Sequence, residues 1–181
     1  TAWVAWVERA RGRVRLSVAS FTGSGWAEPV AVPTNGTPNR PCVTANEHGG
    51  CLLTWDEYSS GLFTVWAAVV EDGKMSMAAC VSGVVPDVLE DSGGPEPAAG
   101  GAQLKQPKQL TQVGPAWDFN PTATLDGGGN AWVAWLHLVD VQNEDGVVDQ
   151  FPTLRCAART TDGWVVVSDP SGSVELADLA W

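Results

Sequence analysis

The clearest pattern along the chain is an apolar stretch of five residues that does not alternate with polar ones. It reads Ala-Trp-Val-Ala-Trp at 131–135, and the same five letters occur at 2–6, with a looser copy, Cys-Leu-Leu-Thr-Trp, at 51–55. A strand of a one-sided sheet alternates apolar and polar residues, whereas a strand covered on both faces is apolar throughout. The three copies therefore predict three strands buried on both faces, in a protein built from repeats.

Similar segments flank each copy. Upstream, residues 41–50 align without gaps on 121–130, and both read as a short strand followed by a Gly-rich turn. Downstream, each copy has a further apolar strand, predicted at 14–20, 62–70 and 154–159, that leads to a turn at Gly25, Gly73 and Gly163 respectively. No stretch shows helical periodicity, so each unit is expected to contain only strands and turns.

The repeating unit comprises four short strands in about 49 residues, the separation of Trp6 and Trp55. Four-stranded units at a period of roughly 40–50 residues are typical of β-propeller blades. We therefore predict an all-β protein, a β-propeller with about three four-stranded blades. Because propellers have roughly four to eight blades, three of them form an arc of a larger ring.

The spacing of the copies also predicts where each blade begins and where residues are inserted. The predicted segments are blade 1 at 1–36, blade 2 at 37–115 with an inserted loop at 73–104, blade 3 at 116–172 with an inserted loop at 139–149, and the start of a further blade or a closure strand at 173–181. Either further blades of a longer polypeptide or identical chains must complete such a ring. The start at Thr1 rather than Met favours an excerpt or a processed chain.

Ten tryptophans give the chain a large aromatic content. Each buries about 150–250 Å² when it is covered, which makes the recurring ones better suited to packing between blades than to holding a ligand. The recurring tryptophans are Trp6, Trp26, Trp55, Trp135 and Trp164.

Composition narrows the possible partners. The chain of 181 residues is 44% apolar and 17% charged, which indicates a folded domain, and its net charge is −11. Binding to nucleic acid phosphates is therefore not expected, and no apolar run approaches the roughly 18 residues of a membrane-spanning helix. The four cysteines lack metal-ligand spacing and allow one or two disulfides, with the pairing left open.

The segment 121–135, together with 156–159 and the pair Gly163-Trp164, resembles the degenerate propeller repeats of secreted bacterial proteins. Sialidase-like and TolB-like propellers share this architecture. The resemblance implies an extracellular or periplasmic location. The Asp-box of sialidases is present only in a contracted form at 160–164, and no arginine cluster is placed like a sialidase triad, so sialidase activity is not implied.

Catalytic motifs are missing from the sequence. There is no G-x-S-x-G, no H-E-x-x-H and no phosphate-binding glycine loop before a helix. We assign Tyr58, Trp117 and His137 as candidate ligand-binding residues. His137 replaces Glu8 and Glu57 of the other copies, and its alternative role is that of an ordinary residue at the end of a strand.

One acidic stretch partly matches a calcium-binding loop. Asn143, Asp145 and Gly146 follow the D-x-[DN]-x-[DN]-G pattern, although Val141 stands where the first Asp belongs. The candidate calcium ligands are Asp140, Asn143, Asp145 and Asp149. The alternative is a solvated acidic loop, and no other cofactor is predicted.

The function predicted from the sequence is a non-catalytic binding module that presents loops on a propeller scaffold to a glycan or a protein. One alternative is a scaffold segment of a propeller hydrolase, a glycosidase or a peptidase, whose catalytic residues lie outside this chain. Another is a structural piece of a larger assembly. Functional residues are expected where the copies differ, in the insertions after Gly73 and Leu138.

Overall fold

A computed structural model describes residues 1–71, 73–82, 111–112, 115–126, 128–142 and 145–167. These residues form antiparallel strands and turns, which confirms the prediction of an all-β protein. The strands are β1 (Ala2–Ala10), β2 (Arg13–Phe21), β3 (Val30–Val32), β4 (Thr37–Ala45), β5 (Cys51–Ser59), β6 (Leu62–Glu71), β7 (Lys74–Met75), β8 (Ala79–Cys80), β9 (Thr111–Gln112), β10 (Trp117–Leu125), β11 (Ala131–Gln142), β12 (Val148–Thr160) and β13 (Gly163–Val167).

The strands form three separate sheets in chain order. The first sheet has the order β1-β2-β3, the second has the order β4-β5-β6-β7 with β8 also paired to β6, and the third has the order β10-β11-β12-β13 with β9 paired to β11. Consecutive strands within a sheet are neighbours, as in a β-meander. The described strands do not close into a barrel or a ring.

The three apolar stretches become β1, β5 and β11, and they pair with the following strand in the same register. Val4 lies opposite Ala19, Leu53 opposite Ala68, and Val133 opposite Ala157. The residues on either side of the next turn also pair in the same way in different sheets. Phe21 bridges Trp26 in the first sheet, and Arg159 lies opposite Trp164 in the third. In the second sheet, Val70 and Met75 occupy these two positions.

Alternate residues of β5 belong to two different cores, which explains why the strand is apolar throughout. Cys51, Leu53 and Trp55 belong to a core shared with the first sheet, where they meet Leu16 and Val18. Leu52 belongs to a core shared with the third sheet, which also contains Val133 and Trp135. Successive side chains of a strand point to opposite faces, so the second sheet is covered on both sides.

The tryptophans predicted to form the core differ in how far they are buried, according to the sheet that carries them. Trp55 and Trp135 are fully buried, at 0% and 1% exposure, and Trp164 packs against the second core. Trp6 is half-buried. The prediction is wrong for Trp26, which is 58% exposed because no described sheet covers its side of the first sheet.

The insertion predicted as a loop at 139–149 is mainly an extension of the β11–β12 hairpin. Val139 lies opposite Phe151, and the pairing continues to Gln142 opposite Val148. The short strand β9 lies beside this extension and pairs with it at Val141. The prediction of a loop is therefore wrong for the residues that lie in β11 and β12. Backbone hydrogen bonding across a hairpin can tolerate polar side chains on both faces of a two-stranded ribbon.

Two other predicted boundaries change. Strand β9 falls inside the predicted blade 2 but pairs with the third sheet. The predicted loop at 73–104 begins with the strands β7 and β8, while 83–104 and the predicted further strand at 173–181 lie outside the described residues. Over the part of the chain that the structure describes, no helix has the length and apolar character needed to cross a membrane.

Replacing Trp135 with Ala removes the largest side chain of the second core. The free energy of unfolding is expected to fall by about 3–5 kcal/mol, since the loss of buried area and the resulting cavity both destabilise the fold. Chemical denaturation measures this change. Phe151→Ala is the matched control, because Phe151 is 42% exposed and lies on the hairpin extension. It is expected to cost about 1 kcal/mol or less; equal losses in the two variants would contradict the assignment of Trp135 to the core.

Candidate ligand-binding cleft

The strands β4 and β10 are interrupted at corresponding places. The pairing of β4 with β5 shifts between Asn39 and Cys42, and that of β10 with β11 shifts between Phe119 and Thr122. In each strand the residue before a proline takes a left-handed conformation, Arg40 with φ of 42° and Asn120 with φ of 54°. Such bulges redirect a side chain out of the regular ladder.

The bulge in β4 directs Arg40 to a buried carboxylate. Its Nε donates to Oδ2 of Asp56 at 2.6 Å, and the backbone N–H of Asn120 donates to the same oxygen at 3.1 Å. The Asp56 side chain is fully buried, whereas that of Arg40 is 45% exposed. The other oxygen, Oδ1, has no hydrogen-bond partner among the described residues. Asp56 thus holds Arg40 in place and joins the second sheet to the third.

Aromatic rings surround the guanidinium group of Arg40. Its central carbon lies 5.4 Å from the ring centroid of Phe63 and 5.4 Å from that of Phe119, within the range of cation–π attraction. Tyr58 lies beside Phe63, with ring centroids 4.9 Å apart, and is 44% exposed. Two of these rings come from the second sheet and one from the third.

Trp117 completes the aromatic group from the first residue of β10. Its Nε1 donates to the carbonyl oxygen of Gly61 at 3.3 Å, which holds the indole against the β5–β6 turn. A cavity of about 270 Å³ lies here. Its lining residues are Arg40, Phe63, Trp117, Phe119 and Leu138. We call this cavity, together with the adjoining Tyr58, the arginine cleft.

Two of the three candidate ligand-binding residues therefore lie at the arginine cleft. Tyr58 and Trp117 are on different sheets; Tyr58 contacts the ring of Phe63, and Trp117 donates to Gly61 in the β5–β6 turn. The sequence analysis missed Arg40, Phe63 and Phe119. The alignment of 41–50 on 121–130 could have drawn attention to Arg40, because it precedes the first residue of that alignment, Pro41.

His137, the third candidate, does not line the cleft and belongs to a buried polar cluster. Its Nδ1 is 2.8 Å from Oδ1 of Asp118, and Nε1 of Trp135 donates to the same oxygen at 2.6 Å. Both His137 and Asp118 are 7% exposed. Burial lowers the pKa of the neighbouring Arg155, and the negative charge of Asp118 opposes that shift. The cluster supplies the partner that a buried indole N–H requires.

In the second sheet, a different carboxylate accepts the N–H of the buried tryptophan. Nε1 of Trp55 donates to Oε2 of Glu57 at 3.3 Å, and the backbone N–H of Asn35 donates to Oε1 of the same carboxylate at 2.8 Å. Glu57 is 2% exposed. Trp55 and Trp135 occupy corresponding positions in β5 and β11. The burial of Glu57 and Asp118 is therefore explained by the indole N–H groups that donate to them.

The candidate calcium ligands are spread along the β11–β12 hairpin. Asp140 lies opposite Gln150, and Asp149 lies opposite Val141. Because neighbouring positions of a strand point to opposite faces, this register directs Asp140 and Asp149 away from each other. Asp145 follows in the hairpin turn, and Asn143 lies outside the described residues. Within the described ranges, no group of three or more His, Cys, Asp or Glu side chains is placed to hold a metal ion.

The turns before β5 and β11 have matching hydrogen bonds. Asn46 Oδ1 accepts the backbone N–H of Gly50 at 2.7 Å, and Asp126 Oδ1 accepts that of Asn130 at 2.9 Å. Asp126 also accepts from the side chains of Asn130, at 2.8 Å, and Trp132, at 3.3 Å. These hydrogen bonds, led by those from Asn130, lower the pKa of Asp126 to about 2.

Thiols provide no second candidate site. Cys42, Cys51 and Cys156 carry free thiols. Burial raises the pKa of the Cys51 thiol to about 12, so this group stays protonated and poorly nucleophilic at neutral pH.

No protein-family model, curated protein or solved structure matches the chain.

Replacing Arg40 with Asn leaves the carboxylate of Asp56 buried without its cation. We expect a loss of about 3 kcal/mol in the free energy of unfolding, measured by chemical denaturation. The residues at the corresponding positions of the third sheet are Asn120 and Leu136. The double variant Arg40→Asn/Asp56→Leu reproduces them and is expected to recover part of the loss. A double variant less stable than Arg40→Asn alone would contradict this account.

Asp126 is expected to titrate well below an ordinary aspartate. Its pKa in the folded protein, about 2, is below the usual 3.8, so its contribution to stability is complete above about pH 4 and disappears as the pH falls through 2. Carboxyl-detected NMR titration measures this pKa directly. In Asp126→Asn, the turn keeps the acceptor that Asn46 provides in the second sheet but loses the ionised group. A measured pKa near 3.8 in the original protein would show that the turn does not bind the carboxylate as described.

Proposed function

We propose that the chain is a non-catalytic binding module, that its three sheets are consecutive blades of a β-propeller, and that it holds a glycan residue in the arginine cleft. The observation that carries the proposal is the geometry of Arg40. Its Nε is held by the buried Asp56, and its guanidinium lies between the rings of Phe63 and Phe119 at a partly exposed site.

The arrangement of the sheets supports the propeller assignment. Each sheet is an antiparallel meander, and the sheets follow one another face to face in chain order, with one core between the first and second and another between the second and third. Face-to-face packing of successive meanders is the arrangement of propeller blades. The corresponding registers of the three tryptophan-bearing strands agree with this interpretation.

The chemistry of the cleft suits a sugar ring. The Nε–H of Arg40 donates to Asp56, and no hydrogen bond from the terminal guanidinium nitrogens to a described residue is seen. These nitrogens can donate to hydroxyl or carboxylate oxygens. Tyr58 and Trp117 offer flat apolar surfaces that can cover the C–H face of a sugar. A few fixed polar groups in a largely aromatic cavity are typical of small-ligand sites.

The buried pair Asp118–His137 has a structural explanation that requires no catalysis. Its carboxylate accepts from Trp135, a core residue, and from His137 in the same interior cluster. Both side chains are buried, and neither lines the arginine cleft. This favours a binding role for the chain over a hydrolytic one.

Binding is tested by screening the protein on a glycan array and measuring affinity for the best ligand by calorimetry. Tyr58→Ala and Trp117→Ala are each expected to weaken that affinity about tenfold or more, because each removes a ring from the cleft. Phe151→Ala removes an exposed aromatic ring elsewhere and is expected to bind normally. The double variant Arg40→Asn/Asp56→Leu is expected to lose binding while remaining folded. Absence of any glycan ligand, or unchanged affinity in both ring variants, would contradict the proposal.

A further inference from the structure

The two outermost faces of the stack are largely apolar, and no described sheet packs against them. On the third sheet, Ala131, Val133 and Trp135 pack against the second sheet, so alternation places the intervening side chains of β11 on the opposite side. This third-sheet outer face includes Trp132, Ala134, Leu136, Leu154, Cys156, Ala158 and Val165. Val165, within it, is 52% exposed.

The first sheet has a corresponding uncovered face. Trp3, Ala5 and Val7 pack against the second sheet, which leaves the other residues of β1 on the opposite side. This first-sheet outer face includes Ala2, Val4, Trp6, Ala19, Phe21 and Trp26. Val4 is 37% exposed and Trp26 is 58% exposed.

The two outer faces match the two sides of an interface that already occurs twice within the chain. Trp132 occupies the position of Trp3 and Leu52, each of which packs against the sheet that follows. In the same way, Trp6 occupies the position of the tryptophans that pack against the sheet before, Trp55 and Trp135. Among the described residues, no sheet packs against the third-sheet outer face from the following side or against the first-sheet outer face from the preceding side.

We propose that a second copy of this chain covers these faces, with the third-sheet outer face of one copy packed against the first-sheet outer face of the other. The contact continues the two internal interfaces and is head-to-tail, so unlike faces meet. Two copies joined in this way at both ends contain six sheets, within the range of roughly four to eight blades in closed propellers.

The charge distribution of the faces agrees with an apolar occupant. On the first-sheet outer face, the charged residues Glu8, Arg13 and Arg15 lie near one end, where Glu8 is opposite Arg15 and Arg13 is opposite Ala10. On the third-sheet outer face, Asp140 lies on the hairpin extension, beyond the apolar side chains. The apolar area between these charges can be buried without leaving an unpaired charge inside the contact.

Sedimentation equilibrium of the 181-residue chain tests this contact, with one arginine variant for each face. Val4→Arg blocks the first-sheet outer face and Val165→Arg blocks the third-sheet outer face. For each variant alone, the dissociation constant of self-association is expected to rise at least about 100-fold. The reason is that the unmodified face of one copy can meet only the arginine-bearing face of another. An equimolar mixture of the two is expected to regain association, since it allows one contact between two unmodified faces.

Met77→Arg is the control, because Met77 is 93% exposed and lies outside both faces; it is expected to associate like the original chain. Circular dichroism melts of each variant check that the fold is retained. A chain that is monomeric at all concentrations overturns the proposal. So does self-association of either single variant, which shows a like-with-like contact, or a mixture that stays monomeric.

Discussion

The structure depends on the burial of the second sheet from both sides. Alternate residues of β5 enter two cores, one shared with the first sheet and one with the third. A strand in this position has no solvated face, so a polar side chain on it needs a partner within the protein. Asp56 and Glu57 are buried there, and each accepts a hydrogen bond, Asp56 from Arg40 and Glu57 from Trp55.

The buried tryptophans account for much of the polar interior. An indole N–H that leaves water needs an acceptor, and Trp55 and Trp135 each find a carboxylate, from Glu57 in one sheet and Asp118 in the other. A buried carboxylate in turn needs donors or positive charge. His137 and Arg155 lie beside Asp118 for this reason, and they are therefore part of the packing of the third sheet.

The arginine cleft exists because regular pairing stops at the same place in two sheets. The bulges at Arg40 and Asn120 bring a guanidinium and a backbone N–H to one buried oxygen of Asp56. That contact fixes the distance between β4 and β10, and the rings of Phe63 and Phe119 fill the space beside it. The proposed ligand site and the joint between two sheets thus share the same residues.

Much of the fold could be predicted from local pattern alone. Continuous apolar letters at 2–6, 51–55 and 131–135 predicted the strands β1, β5 and β11, and the Gly-rich turns that begin at Asn46 and Asp126 were visible as turn residues. Burial on both faces was predicted for all three strands; it is confirmed for β5, whereas the described sheets cover β1 and β11 on one face only. These features are local because side-chain alternation and turn preferences act within a few residues. The strand extension at 139–142 was missed although its residues, Val-Asp-Val-Gln, alternate between apolar and polar, a pattern typical of a strand.

The site could be predicted only in part. Tyr58 and Trp117 were identified as separate candidates, but their common cleft depends on how the second and third sheets pack. The role of Arg40 depends on Asp56, sixteen residues away, and on a backbone N–H sixty-four residues from that carboxylate. The sequence by itself determined which segments form strands, because side-chain alternation and turn preferences follow from neighbouring residues. Only the tertiary structure decided which side chains meet across the sheets and which tryptophans remain uncovered, because those outcomes depend on contacts between distant parts of the chain.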